Sequence, residues 1–253
     1  MNWLNSLERS KRSMRDRILL APWMPGRPDI LEPQEYADRR VIVIGPAETL
    51  ADDLNGTEVD EFDVVVRLNN GISLAASRPE LFGQRTDLLF HNLRETGHRS
   101  AGEIPGEFLM RHGVDTVVFP HWGRKQYWKK RASLQREGGP PLKILPIEMM
   151  QGLREDLSDR KPTIGLCAIM FFLASPVSEL AIHGFTFFET RYAPGYNDAI
   201  RTAGDAQTWV DARGAHDPLS EKNLLRARLA KPDIPLVTLG RNTRRYLEAG
   251  PAI

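Results

Sequence analysis

From Arg40 onward the chain alternates short runs of β-branched and aliphatic residues with longer stretches in which apolar positions recur at helical spacing. Val41–Ile44, Val64–Arg67, Asp87–Phe90, Thr116–Phe119, Lys143–Leu145, Glu179–Ile182 and Leu236–Leu239 read as strands. Several are apolar at every position, which suits strands covered on both faces and therefore a parallel sheet between helical layers. Helices are expected at Ala51–Leu54, Gly106–His112, Gly123–Arg136, Ile147–Leu157, Ile164–Ser175 and Leu219–Ala230. The alternation predicts an α/β, Rossmann-like three-layer sandwich with a mostly parallel central sheet of about seven strands. Ligands in such sheets sit beyond the carboxyl ends of the strands, and Gly45, Asn69, His91, Pro120 and Gly184 fall at or just past those ends.

Prolines at 22, 25, 28 and 33, with Gly26, break up the chain ahead of this pattern, so residues 1–38 read as an extension and residues 39–253 as a single domain. Within the extension, Trp3, Leu4, Leu7, Met14, Ile18, Leu19 and Leu20 alternate with Arg9, Lys11, Arg12, Arg15 and Arg17. That pattern fits a basic amphipathic helix lying on an anionic membrane face, a helix packed on its own domain, or a partly disordered extension. The formal net charge of +1 gives no global reason to expect nucleic acid as a partner. Cys167 is the only cysteine, which excludes an internal disulfide, and no secretory leader pattern is visible. Both point to a reducing, cytoplasmic location. The most apolar run, Ile164 to Ala174, is shorter than the roughly 20 residues a membrane-spanning helix needs, so it reads as a core helix.

Candidate chemistry is sparse but ordered. Gly45 closes an apolar strand, where a missing side chain lets a ligand approach the backbone, or it forms a plain strand-to-helix turn, since the G-x-G-x-x-G of dinucleotide binders is absent. Asn69 ends a second strand after Arg67, and its amide can donate and accept toward a nucleotide; an Asx turn is the plainer reading. Arg67 with Asp60 or Asp63 could be a structural ion pair. Pro162-Thr163-Ile164-Gly165 opens the most apolar helix, so the Thr163 hydroxyl and the free N–H groups of its first turn form a candidate anion site, or Thr163 only caps the helix. His216 precedes a helix that carries Glu221 in its first turn, a placement suited to a general base or, equally, to a surface or capping role. His121, Trp122 and Arg124 begin a segment of mixed rings and cations that could stack on sugars or bases and neutralise anionic groups, or form a solvated helix face. No metal site is expected: there is one cysteine, no H-x3-H, and Glu58-Val59-Asp60 precedes a strand instead of ending one.

Taken in order, these segments resemble glycosyltransferase family 29, the sialyltransferases. The family's long motif is matched by Val41–Gly45, Val59–Asn69 and Gly83-Gln84-Arg85-Thr86. Its short motif is matched by Pro162-Thr163-Ile164-Gly165 and His183-Gly184-Phe185, and its very short motif, His-x4-Glu, by His216 and Glu221. Two departures stand out: Pro46 replaces the family's Asn after the first glycine, and the His-Tyr third motif is not recognisable, although Tyr192 and Tyr196 lie in the right interval. Animal members join the long and short motifs by a disulfide that this chain lacks, which suits a bacterial relative.

The resemblance implies a GT-A-like variant of the sheet and an inverting, metal-independent transferase without a cofactor. Its substrate would be a CMP-activated 2-keto sugar acid, sialic acid or Kdo, transferred to a hydroxyl of a glycan or glycolipid in lipopolysaccharide or capsule biosynthesis. His216 would be the catalytic base. Gly45, Asn69, Thr163, Gly165, Gly184 and Phe185 would hold the nucleotide, supported by Arg67, Glu221, Tyr192 and Tyr196, with His121, Trp122 and Arg124 toward the acceptor. Two rivals remain at the level of sequence. One is a methyltransferase or dehydrogenase on a similar sheet, which calls for an acid where Asn69 stands. The other is a non-catalytic module that binds anionic glycans or nucleic acid through Trp122–Arg131.

Overall fold

A computed structural model describes residues 27–97, 100–121, 125–197, 200, 202–205, 208 and 216–249. Eight strands form one sheet: β1 (Asp29–Ile30), β2 (Arg40–Ile44), β3 (Val64–Leu68), β4 (Leu88–Phe90), β5 (Thr116–Val118), β6 (Leu142–Ile144), β7 (Glu179–His183) and β8 (Leu236–Leu239). Their order is β1-β6-β5-β4-β3-β2-β7-β8, and every neighbouring pair is parallel. The expected α/β sandwich is present, with one strand more than the sequence suggested. The added strand, β1, comes from the stretch read as an extension. From Asp29 that stretch is part of the domain: Leu31 and Tyr36 are buried in the core, and Leu31 N–H donates to the Ile144 carbonyl at 2.8 Å. The basic segment 1–20 lies outside the described residues.

Alternate residues of each strand enter opposite cores, as strand geometry requires. Val41, Val43, Val64, Val66, Leu88, Phe90, Val118, Leu180 and Ile182 face one core, which is filled by the helix Ile164–Leu173. Ile42, Ile44, Val65 and Ala181 face a second core, and Leu89 and Val117 a third, both on the other side of the sheet. This double coverage is why the strands read as unbroken apolar runs.

After β2 the chain builds outward through β3, β4, β5 and β6, then returns to place β7 on the other side of β2. The segments leaving β2 and β7 therefore part company, opening a crevice at the carboxyl edge of the sheet. At its floor two glycines touch back to back. A Cβ on Gly45 would lie 2.2 Å from the Gly184 carbonyl oxygen, and one on Gly184, whose φ is +74°, would lie 2.7 Å from the Gly45 oxygen. Gly45 N–H donates to the His183 carbonyl at 2.7 Å, and Ala47 N–H to that of Gly184 at 3.0 Å, which sews the two strand ends together.

The connections hold short helices that periodicity did not reveal: Gly56–Asp60, Gly71–Ser77, Pro79–Phe82 and, near the end of the chain, Arg241–Glu248. Where a helix over Ala51–Leu54 was expected, a 3-10 turn runs over Glu48–Asp52. Gly56–Asp60 starts on a capping box, in which Asn55 Oδ1 accepts from Glu58 N–H and Glu58 Oε2 from Asn55 N–H. Its last residue, Asp60, then accepts from the N–H groups of Gln84 and Arg85.

Candidate active site

Arg67 ends up far from solvent, 1% exposed, and carries no ion pair with Asp60 or Asp63. Its Nε donates to the Arg85 carbonyl at 2.9 Å and to Thr86 Oγ1 at 3.0 Å, and its Nη2 donates to the Phe82 carbonyl at 2.6 Å. Burial pushes the guanidinium pKa down to about 10, so it stays charged. Arg67 is therefore a structural knot: it holds the turn Phe82–Thr86 under β3 so that the next residues of the strand emerge at a fixed height.

Asn69 is the first of those residues and turns out of the sheet with φ +48°. Its N–H donates to the Phe90 carbonyl, its Oδ1 accepts from Asn92 N–H at 3.0 Å, and its Nδ2 donates to the Tyr196 hydroxyl at 3.4 Å. The amide thus ties the ends of β3 and β4 to the tyrosine segment. That segment is fixed from below: Asn70 Nδ2 donates to the carbonyls of Gly195 and Tyr196, and Arg78 Nη2 to that of Pro194. The rings of Tyr192 and Tyr196 meet edge to face at 5.1 Å. Desolvation pushes the Tyr196 phenol pKa up to about 12, with the Asn69 hydrogen bond opposing, so it is a neutral donor at physiological pH.

The opposite wall is the start of the Ile164–Leu173 helix. Thr163 caps it, its Oγ1 accepting from Leu166 N–H at 3.2 Å. The sequence suggested that the Thr163 hydroxyl and N–H would face a ligand; instead both point to Glu221. Thr163 N–H donates to Glu221 Oε1 at 2.8 Å and its hydroxyl to Oε2 at 2.6 Å. The anion-binding capacity of this turn therefore rests on the N–H groups of Ile164 and Gly165. Gly165 is required there by packing: a Cβ would come within 2.7 Å of Phe185 Cε1 and 3.3 Å of Leu68 Cδ1. Glu221 is 4% exposed, and burial, outweighing the two Thr163 hydrogen bonds, raises its pKa to about 7.

His216 stands two residues before the helix Pro218–Leu229. Asp217 caps that helix through Ser220 N–H at 3.1 Å, with Pro218 in the first turn. The His216 Nδ1 lies 2.7 Å from the Lys161 carbonyl oxygen. Because a carbonyl can only accept, Nδ1 carries a proton, which leaves Nε2 as the ring position that can exchange one.

These parts share one cavity of about 490 Å³, whose wall includes Asn69, Asn92, Gly165, Tyr196 and His216. Thr163, Gly184, Phe185, Tyr192, Glu221 and His121 also line it. Gly45 does not: its backbone is spent on the contact with Gly184. Trp122 and Arg124 lie outside the described residues. Four of the seven non-glycine residues with positive φ among the described residues, Asn69, Leu93, Phe187 and Phe188, line this cavity or sit in a loop that does. Such conformations cost on the order of 1–3 kcal/mol each and persist where surrounding structure enforces them. Sequence reasoning missed Asn92, Arg94 and the Lys161 carbonyl; Asn92 could have been found, since it stands two residues past β4 as Asn70 stands two past β3.

No family model matches the chain, and no curated protein matches it in sequence. Solved structures do match in three dimensions. A mammalian sialyltransferase in complex with Gal-β-1-3GalNAc-ortho-nitrophenol superposes with a TM-score of 0.55 at 18% identity, over 89% of this chain and 79% of its own. The monomeric form of CstII, a sialyltransferase from Campylobacter jejuni, superposes with a TM-score of 0.51 at 12% identity, over 84% and 86%. The fold is sialyltransferase-like. Within that sialyltransferase-like frame the cavity lies at the carboxyl edge of the sheet, where β2 parts from β7. Among the described residues no group of three His, Cys, Asp or Glu stands together as metal ligands, and no helix is long and apolar enough to cross a membrane.

Proposed function

We propose that this protein is a glycosyltransferase that moves a 2-keto sugar acid, sialic acid or Kdo, from a CMP-activated donor to a hydroxyl of a glycan or glycolipid. The observation that carries the reading is the convergence on one cavity of Asn69, the first turn of the Ile164–Leu173 helix and His216, which come from three distant parts of the sequence.

The chemistry follows from their positions. An acceptor hydroxyl attacks the anomeric carbon opposite the phosphate, so the C–O bond to CMP breaks as the new glycosidic bond forms and the configuration inverts. His216 Nε2 takes the hydroxyl proton, because Nδ1 is held as a donor by the Lys161 carbonyl. The leaving group is a phosphate monoester, whose developing charge is met by the N–H groups of Ile164 and Gly165 and by the positive end of that helix. The neutral phenol of Tyr196 is a further donor on the facing wall. A monoester demands less charge neutralisation than a diphosphate, which supports a reaction without a metal ion.

Transfer from CMP-sialic acid and from CMP-Kdo, measured with and without a chelator, tests the reading. Loss of the base in His216→Ala should lower turnover by about 10²–10⁴-fold, and Asn69→Ala should weaken CMP binding. Turnover unchanged in the histidine variant removes His216 as the base. Stabilisation by NAD or S-adenosylmethionine, with none from CMP, overturns the assignment.

A further inference from the structure

A donor of this class carries two anionic groups, the phosphate and the sugar carboxylate, and the helix start answers one of them. The loop after β4 holds a second cationic device. His91, fully buried, accepts from Leu93 N–H through Nδ1 at 3.0 Å and meets the Ala101 carbonyl through Nε2 at 3.2 Å. Asn92 N–H is gripped by Asn69 Oδ1, and Asn92 Oδ1 in turn accepts from Arg94 N–H at 2.8 Å. The Arg94 carbonyl accepts from Ala101 N–H at 2.7 Å. Between them Leu93 is forced to φ +55°, a conformation a leucine rarely adopts. Five hydrogen bonds to backbone groups and one strained residue thus fix the Arg94 backbone beside the cavity, and Arg94 lines it.

The Arg94 guanidinium makes no hydrogen bond and no ion pair among the described residues, and it is half-buried. Arg67, by contrast, donates to three carbonyls and a hydroxyl. Among the described residues Glu221 is the only carboxylate on the cavity wall, and its oxygens are engaged by Thr163. A planar fork of N–H donors with no acceptor among the described residues, held at a ligand cavity, matches a carboxylate in a bidentate manner.

We infer that Arg94 is the specificity-determining residue that binds the carboxylate of a sugar acid in this cavity. The inference rests on the function proposed above and deepens it. Two sources carry this chemistry: the donor's own 2-keto acid, and an acceptor that ends in an acidic sugar.

Calorimetric titration of the full chain and of Arg94→Met and Arg94→Lys separates them. The ligands are CMP, the 3-fluoro analogue of CMP-sialic acid, freshly prepared CMP-Kdo, and methyl sialoside added to the CMP-saturated protein. CMP should bind wild type and Arg94→Met equally, and melting temperatures should agree because the Arg94 side chain holds no other group among the described residues. A loss of about 10–100-fold for the carboxylate-bearing donors, partly recovered by Arg94→Lys, assigns Arg94 to the donor. The same loss confined to methyl sialoside assigns it to the acceptor. If Arg94→Met leaves every acidic ligand unchanged, or weakens CMP itself equally, the Arg94 assignment falls while the transferase reading stands. If wild type fails to bind CMP, both fall.

Discussion

Replacing Glu221 by Gln isolates a single proton in the heart of the site. Burial dominates the Glu221 carboxyl and lifts its pKa from 4.5 to about 7; two hydrogen bonds from Thr163 oppose the rise and Asp217 adds to it. Between those two values the folded chain holds a proton that the unfolded chain has released. Stability therefore falls as pH rises through the window from 4.5 to about 7 and levels off above it. A shift of this size corresponds to about 3 kcal/mol. Gln reproduces the protonated acid, because its Oε1 can accept from Thr163 N–H while its Nε2 donates to the Thr163 hydroxyl oxygen. Urea denaturation near pH 4 should give variant and wild type the same free energy to within about 0.5 kcal/mol, whereas near pH 8 the variant should be the more stable by about 3 kcal/mol. Taking the difference between the two proteins cancels other titrating groups. Parallel pH profiles, or a variant weaker at both pH values, would refute the reasoning: the carboxylate would then stay ionised, its two hydrogen bonds outweighing the loss of water.

Arg67→Met removes the donor from the carbonyls of Phe82, Gly83 and Arg85 and from the Thr86 hydroxyl. It should cost about 3–5 kcal/mol in a urea titration, and a loss below about 1 kcal/mol would show that water replaces the guanidinium. Gly45→Ala drives a methyl to 2.2 Å from the Gly184 oxygen. It should cost about 3 kcal/mol or more, and an unchanged melting temperature would show that the two strand ends can separate. Tyr196→Phe deletes a phenol whose only side-chain hydrogen bond among the described residues is the 3.4 Å contact with Asn69. CMP affinity should fall by about fivefold to tenfold with little change in melting temperature, and equal affinity by calorimetry would remove the phenol from the phosphate.

The central strands were legible because parallel strands sandwiched between helices are apolar on both faces, and Val64-Val65-Val66 can hardly be anything else. β1 was not, since a two-residue strand, Asp29-Ile30, has no period to read and is held by its register against Lys143 and Ile144. The polar helix Arg241–Glu248 escaped for a related reason: only Thr243 and Leu247 are buried, too few positions to mark a stripe. At the site, the placement of Asn69, Thr163 and His216 could be anticipated from strand ends and helix starts. Their wiring could not. Whether Arg67 faces an acid or four acceptors depends on where Phe82–Thr86 folds back, and whether Glu221 acts as a base or a clasp depends on a partner 58 positions away. Arg94 was invisible because its placement depends on a left-handed leucine and a buried histidine, neither of which has a signature in the chain.

The three residues from Lys161 to Thr163 are grasped twice by the segment His216–Glu221, once through an imidazole and once through a carboxylate. On the function proposed above, base and phosphate-facing turn would thereby be yoked like two ends of one lever. A displacement carrying the imidazole toward an incoming alcohol would pull on the amides awaiting the departing nucleotide, so that capture of one substrate would be felt at the berth of the other without any larger motion of the sheet. Attempts to re-tune acceptor preference by altering this segment would then register in donor affinity as well.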